Sequence, residues 1–132
     1  MSETKKFLDK WYEGYRSDDP KFLEEILDDS VVFSSPVVFK PIVGKEMTKL
    51  YLMGAGITFN MDRFSYVREV IDGPDVILEF ETFIDDISVN GVDMIRWNDE
   101  GKIIDFKVMV RPLQAIHKLQ QKMSEALDSF KP

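Results

Sequence analysis

Residues 89–110 read VNGVDMIRWNDEGKIIDFKVMV, two apolar-rich runs joined by Asn98-Asp99-Glu100-Gly101. An Asp-x-Gly turn between two alternating runs is a strong local signal for a β-hairpin. Side chains alternate faces along a strand, so Asp93, Ile95 and Trp97 share one face while Met94 and Arg96 take the other. On the returning strand Ile104, Phe106, Val108 and Val110 oppose Ile103, Asp105, Lys107 and Met109. One carboxylate, Asp93, therefore sits among apolar neighbours, and this is where chemistry shows in the sequence.

Downstream of the hairpin, Pro112 opens a last helix whose apolar stripe is Leu113, Ile116, Leu119, Met123 and Leu127. Upstream, residues 76–84 place Val76, Leu78, Phe80, Thr82 and Ile84 on one strand face. Ile77, Glu79, Glu81 and Phe83 occupy the other, which is partly charged and meets water. Asp85-Asp86 separates this strand from the hairpin, and Asp72-Gly73-Pro74-Asp75 is a turn before it. Residues 57–71, with Phe59, Phe64, Tyr66, Val67, Val70 and Ile71, read as strand. Residues 45–53 carry Met47, Leu50 and Tyr51 at helical intervals, a short helix that Gly54-Ala55-Gly56 is expected to end; Pro41-Ile42-Val43-Gly44 before it reads as a loop. Residues 31–34 form a short strand stopped by Pro36.

At the start of the chain, residues 4–16 place Phe7, Leu8, Trp11, Tyr12 and Tyr15 at helical spacing, with Ser2 as cap. Ser17-Asp18-Asp19-Pro20 is a break followed by a new helix start, with Asp at the cap and Pro at the first helical position. That second helix carries Phe22, Leu23, Ile26 and Leu27 and is expected to end at Asp28-Asp29-Ser30. Helices grouped at one end and successive antiparallel strands at the other predict a single α+β domain over residues 1–132, a curved sheet wrapping the helices.

A formal charge of −7 excludes the basic footprint that nucleic acid or an anionic membrane surface requires. With no cysteine there is no disulfide framework, thiolate nucleophile or cysteine-type zinc site, which fits a reducing cytoplasm. No run of eighteen apolar residues and no signal-peptide pattern is present, so a soluble cytoplasmic protein is expected. The sole histidine, His117, has no second ligand at metal-binding spacing and is expected to be solvated. The Asp28-Asp29 and Asp85-Asp86 pairs supply too few oxygens for a cation site and are expected to cap or end elements. No metal and no cofactor is expected.

Several segments together resemble a known family over nearly the whole chain. They are the aromatic first helix (Trp11, Tyr12, Tyr15), Asp18-Asp19, the run Glu25-Ile26-Leu27-Asp28-Asp29-Ser30-Val31-Val32-Phe33, then Ser35-Pro36, Gly44-Lys45, and Ile95-Arg96-Trp97 with Gly101-Lys102-Ile103-Ile104. In order and spacing they are similar to the NTF2-like superfamily, which includes nuclear transport factor 2, ketosteroid isomerase and the SnoaL-like polyketide cyclases. The resemblance implies a cone-shaped fold, with a curved antiparallel sheet around N-terminal helices, a central pocket and a C-terminal helix. It also implies a homodimer through the outer sheet face, where Phe83, Met94 and Met109 lie. Members include isomerases, cyclases, dehydratases, epoxide hydrolases and non-catalytic carriers, so residues must decide the function.

Laid against the ketosteroid isomerase pattern, the buried acid falls on Asp93, the base position before the proline holds Ser35, and the first-helix tyrosine position falls on Trp11, with Tyr12 and Tyr15 close by. An unactivated serine does not accept a proton at neutral pH, which removes the expected base. The Asp–Arg–Asp arrangement of the family's epoxide hydrolases would need Asp93 and Asp105 with Arg63 or Arg68, but alternation puts Asp105 on the opposite face.

Two functions remain open. The first is a protein that binds a small, largely apolar molecule, its pocket lined by Trp11, Phe33, Ser35, Tyr51, Phe59, Phe80, Ile95, Trp97, Phe106 and Val108, with Asp93 as polar anchor. Methionines, among them Met47, Met53, Met61 and Met109, suit irregular cavity walls. The second is an isomerase or cyclase acting on a polycyclic or carbonyl substrate through Asp93, Tyr12 or Tyr15, and an unidentified base. Burial favours the neutral form of Asp93, which as in ketosteroid isomerase could donate a hydrogen bond to a developing oxyanion. The plain structural alternative is an ordinary hydrogen bond between Asp93 and the hydroxyl of Tyr12, Tyr15 or Tyr66.

Overall fold

The hairpin forms where the alternation places it, as β5 (Ile87–Trp97) and β6 (Ile103–Arg111), joined by a turn in which Gly101 takes φ +80°. Asn98 Oδ1 accepts hydrogen bonds from the backbone N–H of Glu100 and of Lys102, fixing the turn from inside. Asp93, Ile95 and Trp97 are all buried, as their shared face requires. The returning strand differs from simple alternation at one point. Arg96 pairs with Asp105 but Trp97 pairs with Ile103, so Ile104 is an extra residue, a β-bulge. The bulge returns Ile103 to the inner face beside Phe106, whereas alternation had set it with Asp105 on the outer one.

The computed structural model describes residues 2–17 and 19–131, and Asp18 of the expected Asp18-Asp19 break lies outside them. Before the hairpin the chain runs α1 (Ser2–Arg16), α2 (Lys21–Ile26), β1 (Leu27–Ser34), β2 (Ile42–Val43), α3 (Lys45–Thr58), a 3₁₀ turn (Met61–Arg63), β3 (Ser65–Asp72) and β4 (Asp75–Ile84). After it comes α4 (Leu113–Ser129). The strands make one curved, unclosed sheet in the order β2-β1-β6-β5-β4-β3, with α1 and α2 before it in sequence, α3 between β2 and β3, and α4 after it. The fold is the α+β class expected. Every neighbouring pair is antiparallel except β1 with β6, which is parallel.

Several element boundaries differ from those read in the sequence. Ser2 is the first helical residue of α1 rather than its cap. Pro20 has the helical backbone expected of it, and Asp19 Oδ1 caps the turn by accepting from the Lys21 N–H at 3.0 Å. Asp28-Asp29-Ser30 do not close α2. They lie within β1, which begins at Leu27 because that residue is needed against Ile103 in the core. Ile42 and Val43, read as loop, pair with Phe33 and Val32. Most consequential, α3 runs through Gly54 and Gly56 to Thr58. Gly54 is there for contact, since a Cβ on it would lie 3.0 Å from Met123 Cε and 3.7 Å from Ala126 Cβ on α4. Close helix packing at a small residue outweighs the roughly 1 kcal/mol that glycine costs inside a helix. The strand expected over 57–71 is correspondingly shorter, starting at Ser65. On α4 the buried stripe is Ala115, Leu119, Met123 and Ala126, and Leu113, assigned to the stripe by spacing, is 65% exposed.

Candidate functional site

Between the inner sheet face and the helices lies a cavity of about 650 Å³, within the range of small-molecule sites. Its deep polar group is Asp93, at the middle of β5, with Leu78 of β4 and Val108 of β6 as its cross-strand partners. Apolar residues on both sides leave the carboxyl only 6% exposed. Tyr66 of β3 donates its O–H to Asp93 Oδ2 at 2.6 Å, and Trp11 of α1 donates its indole N–H to the Tyr66 oxygen at 3.1 Å. Tyr66 reaches inward because β3 carries its own bulge, its pairing jumping from Tyr66–Phe80 to Arg68–Glu79 so that Val67 is extra.

Burial pushes the Asp93 carboxyl up to about 7, the Tyr66 hydrogen bond offsetting part of the rise. The Tyr66 hydroxyl is raised too, first by burial and then by the neighbouring carboxylate. Near neutral pH Asp93 therefore stands between its acid and its anion, able to donate a hydrogen bond in one form and to accept or hold a positive charge in the other.

Of the residues expected at the site, Trp11, Tyr15, Phe33, Ser35, Tyr51, Phe59, Phe80, Phe106 and Val108 line the cavity with Asp93. Ile95 and Trp97 do not; both are buried in the solid part of the core with Leu8 and Leu27. Trp97 carries an indole N–H that finds no partner among the described residues. Tyr12 also lies off the cavity, its hydroxyl donating to Glu69 on the exposed side of β3. Ser35 Oγ accepts from the Val37 N–H at 3.2 Å, a turn contact rather than an activated hydroxyl. Two further carboxylates, Asp19 and Asp62, line the cavity near its exposed rim, together with Arg16.

Other residues singled out by sequence are not brought to the cavity. Asp105 is exposed on the outer face, Arg68 pairs with Glu79 at 3.1 Å, and the Arg63 guanidinium lies 3.7 Å from the Phe83 ring centroid. His117 is exposed on α4. Asp85 pairs with Lys118 and Lys122, and Asp28 Oδ2 accepts from the Ser30 N–H.

Of the three tyrosines offered by the sequence as partners of Asp93, Tyr66 is the one bound to it; sequence reasoning missed Phe64 as a wall residue, whose ring packs against Tyr66 and Phe80 at centroid distances of 5.1 Å each. The apolar spacing of residues 64, 66 and 71 held a signal, but the bulge at Val67 broke the period. Met53 and Met61 line the wall as expected of methionines, whereas Ala55 and Ile57 were hidden because α3 was expected to stop at Gly54.

The sequence matches no family model and no curated protein. Solved structures match strongly. A steroid delta-isomerase from Pseudomonas aeruginosa is 32% identical, with a TM-score of 0.92 over 98% of this chain and 95% of that one. A bacterial protein with a cystatin-like fold from Silicibacter pomeroyi DSS-3 is 28% identical, with a TM-score of 0.83 over 90% and 83%. An NTF2-like protein of unknown function from Mesorhizobium loti, 18% identical, shares the fold with a TM-score of 0.72 over 84% and 93%. Curved sheet, helices and sequence likeness agree on the class, and the chain belongs to the NTF2-like superfamily, alongside ketosteroid isomerase-like proteins. Among the described residues no helix is long and apolar enough to cross a membrane.

Proposed function

We propose that the protein binds a small, largely apolar molecule in the cavity, with the Asp93–Tyr66 pair as polar anchor. The observation that carries this reading is a buried carboxyl, hydrogen-bonded among the described residues only to a tyrosine, opening on an aromatic-walled space large enough for a ligand. Keeping such an acid in an apolar wall costs stability, which ligand contacts would offset. Native mass spectrometry of freshly purified protein tests it. One small-molecule adduct per chain is expected, lost from Asp93→Asn, whose amide preserves shape but not charge. Clean masses in both, with no binding of added apolar probes to the wild type, would overturn it.

The likeness to a steroid delta-isomerase supports a second reading, an isomerase or cyclase acting on a carbonyl compound. In that reading Asp93 in its acid form donates to the carbonyl oxygen. The missing base is the difficulty: Ser35 stands at the expected position, and the remaining carboxylates of the wall, Asp19 and Asp62, lie at the rim. Steroid isomerase activity that falls at least about a hundredfold in Asp62→Asn would place the base there and favour catalysis. A homodimer through the outer face of the sheet, where Met109 is half exposed, belongs to the same proposal. Met109→Asp is expected to shift the mass in solution from dimer to monomer.

A further inference from the structure

The cavity carries a lopsided charge. Among the described residues of the wall, Asp93 lies at depth and Asp19 and Asp62 toward the rim, against a single basic side chain, Arg16. Among the described residues no cation pairs with Asp93. Aromatic rings enclose the same space, Tyr15 lying 5.2 Å from Tyr66 and Trp11 5.2 Å from Phe106, centroid to centroid. Ring faces attract positive charge, more strongly once it is desolvated. At the outer end of this wall the chain's own Arg16 guanidinium lies 5.5 Å from the Tyr15 ring centroid. A neutral ligand would use the area of the rings but leave the buried carboxylate without a counter-charge.

We propose that the occupant of the cavity is a cationic amine on an apolar body, its positive nitrogen seated beside the Asp93 carboxylate among the surrounding rings. This rests on the binding reading above and adds the sign of the ligand's charge. A net charge of −7 on the chain draws such a ligand in.

Proton linkage makes the proposal sharp. Asp93 has apolar strand partners, Leu78 and Val108. The titratable groups turned toward its space are the hydroxyls of Tyr66, Tyr15 and Tyr51, with Arg16, Asp19 and Asp62 at the rim. A cation binds the anion of Asp93 and competes with its proton, so cation affinity rises with pH until the carboxyl is fully ionised. A carbonyl ligand held by the protonated acid shows the opposite slope.

The test titrates the intact protein with (4-phenylbenzyl)trimethylammonium, whose charge is independent of pH, and with its neutral isostere carrying carbon in place of nitrogen. Fluorescence of Trp11 in the cavity wall follows both. At pH 8 the cation is expected to bind at least about tenfold tighter than the isostere. Below about pH 7 that advantage falls by roughly tenfold per pH unit as Asp93 takes up its proton. Asp93→Asn is expected to lose the advantage while still binding the isostere, which also shows that the variant is folded. An isostere that binds as well as the cation at pH 8, or a ratio unchanged from pH 5 to 8, overturns the cationic ligand and leaves the binding reading standing. Failure of both probes to bind overturns the two together.

Discussion

At the turn end of the β5–β6 hairpin, Ile95, Trp97 and Ile103 are enclosed in one cluster with Leu8, Leu27 and Val76. Further along the same inner face, Asp93, Phe106 and Val108 border the cavity. Both stretches obey the same alternation and both point inward. They differ in what faces them. The turn end is filled by Leu8 of α1 and its neighbours, whereas the middle is joined to α1 by the hydrogen-bonded line from Trp11 through Tyr66 to Asp93. An inward face can thus be core or binding wall, and the helices opposite decide which.

The contrast fails if the two stretches respond alike to truncation. Trp97→Ala is expected to lose about 3–5 kcal/mol of stability in urea denaturation, the cost of an aromatic side chain removed from a filled core. Trp97→Phe should cost much less, because it also removes a buried indole N–H that has no partner among the described residues.

A pH series sharpens the difference further. The native fold holds the Asp93 proton up to about 7, while the unfolded chain releases it near 3.8. Native protein therefore binds more protons between those values, and this group's contribution to stability falls as pH climbs from about 4 to about 7, by at most roughly 4 kcal/mol. Subtracting the profile of Asp93→Asn isolates the effect from the exposed pairs Asp75–Arg96 and Glu24–Lys49, whose carboxyls are lowered by their cations and act in the opposite direction. A flat difference profile would mean that Asp93 is solvated.

Gly91 sits where the Phe80 ring closes over β5. A Cβ there would lie 2.5 Å from Phe80 Cζ and 2.6 Å from the Met109 carbonyl oxygen. Gly91→Ala is expected to cost about 1–3 kcal/mol and to alter probe binding, because it displaces a ring of the cavity wall. The smallest effect is expected from Val108→Ala, about 1 kcal/mol or less, since the side chain already faces open space. A loss equal to that of Trp97→Ala would erase the distinction between core and wall.

The first strand of the hairpin, the inward set of β4 and the first helix were legible because their periods are unbroken. The residues that failed lie at irregularities. Single-residue bulges at Ile104 and Val67 reverse a face that strict alternation had fixed, which is why Ile103 was placed outside and Tyr66, one of three tyrosines offered to Asp93, was not singled out as a wall residue. Gly54 read as a stop because its partner, Met123, lies on another helix and is invisible to any local window. Asp93 was found because a charge on an apolar face is visible locally. Trp97 and Ile95 were assigned to the cavity on the same evidence, since alternation gives a side and not the space beyond it.

The parallel pairing of β1 with β6 also has a consequence for the order in which the molecule comes into being. Strand Leu27–Ser34 has the two-residue β2 on one edge, but its long partner on the other, Ile103–Arg111, comes only after β5 in sequence. During synthesis the first helices and β1 emerge long before that partner, so the inner edge of β1, with Val31 and Phe33, stays uncovered until most of the chain is made. Pairings so distant in sequence slow folding, because the entropy of closing the intervening loop is lost before any contact rewards it. Residues 103–111 thus close the sheet side of the cavity and release the first third of the chain from waiting, and α4 then covers it with Leu119 and Met123.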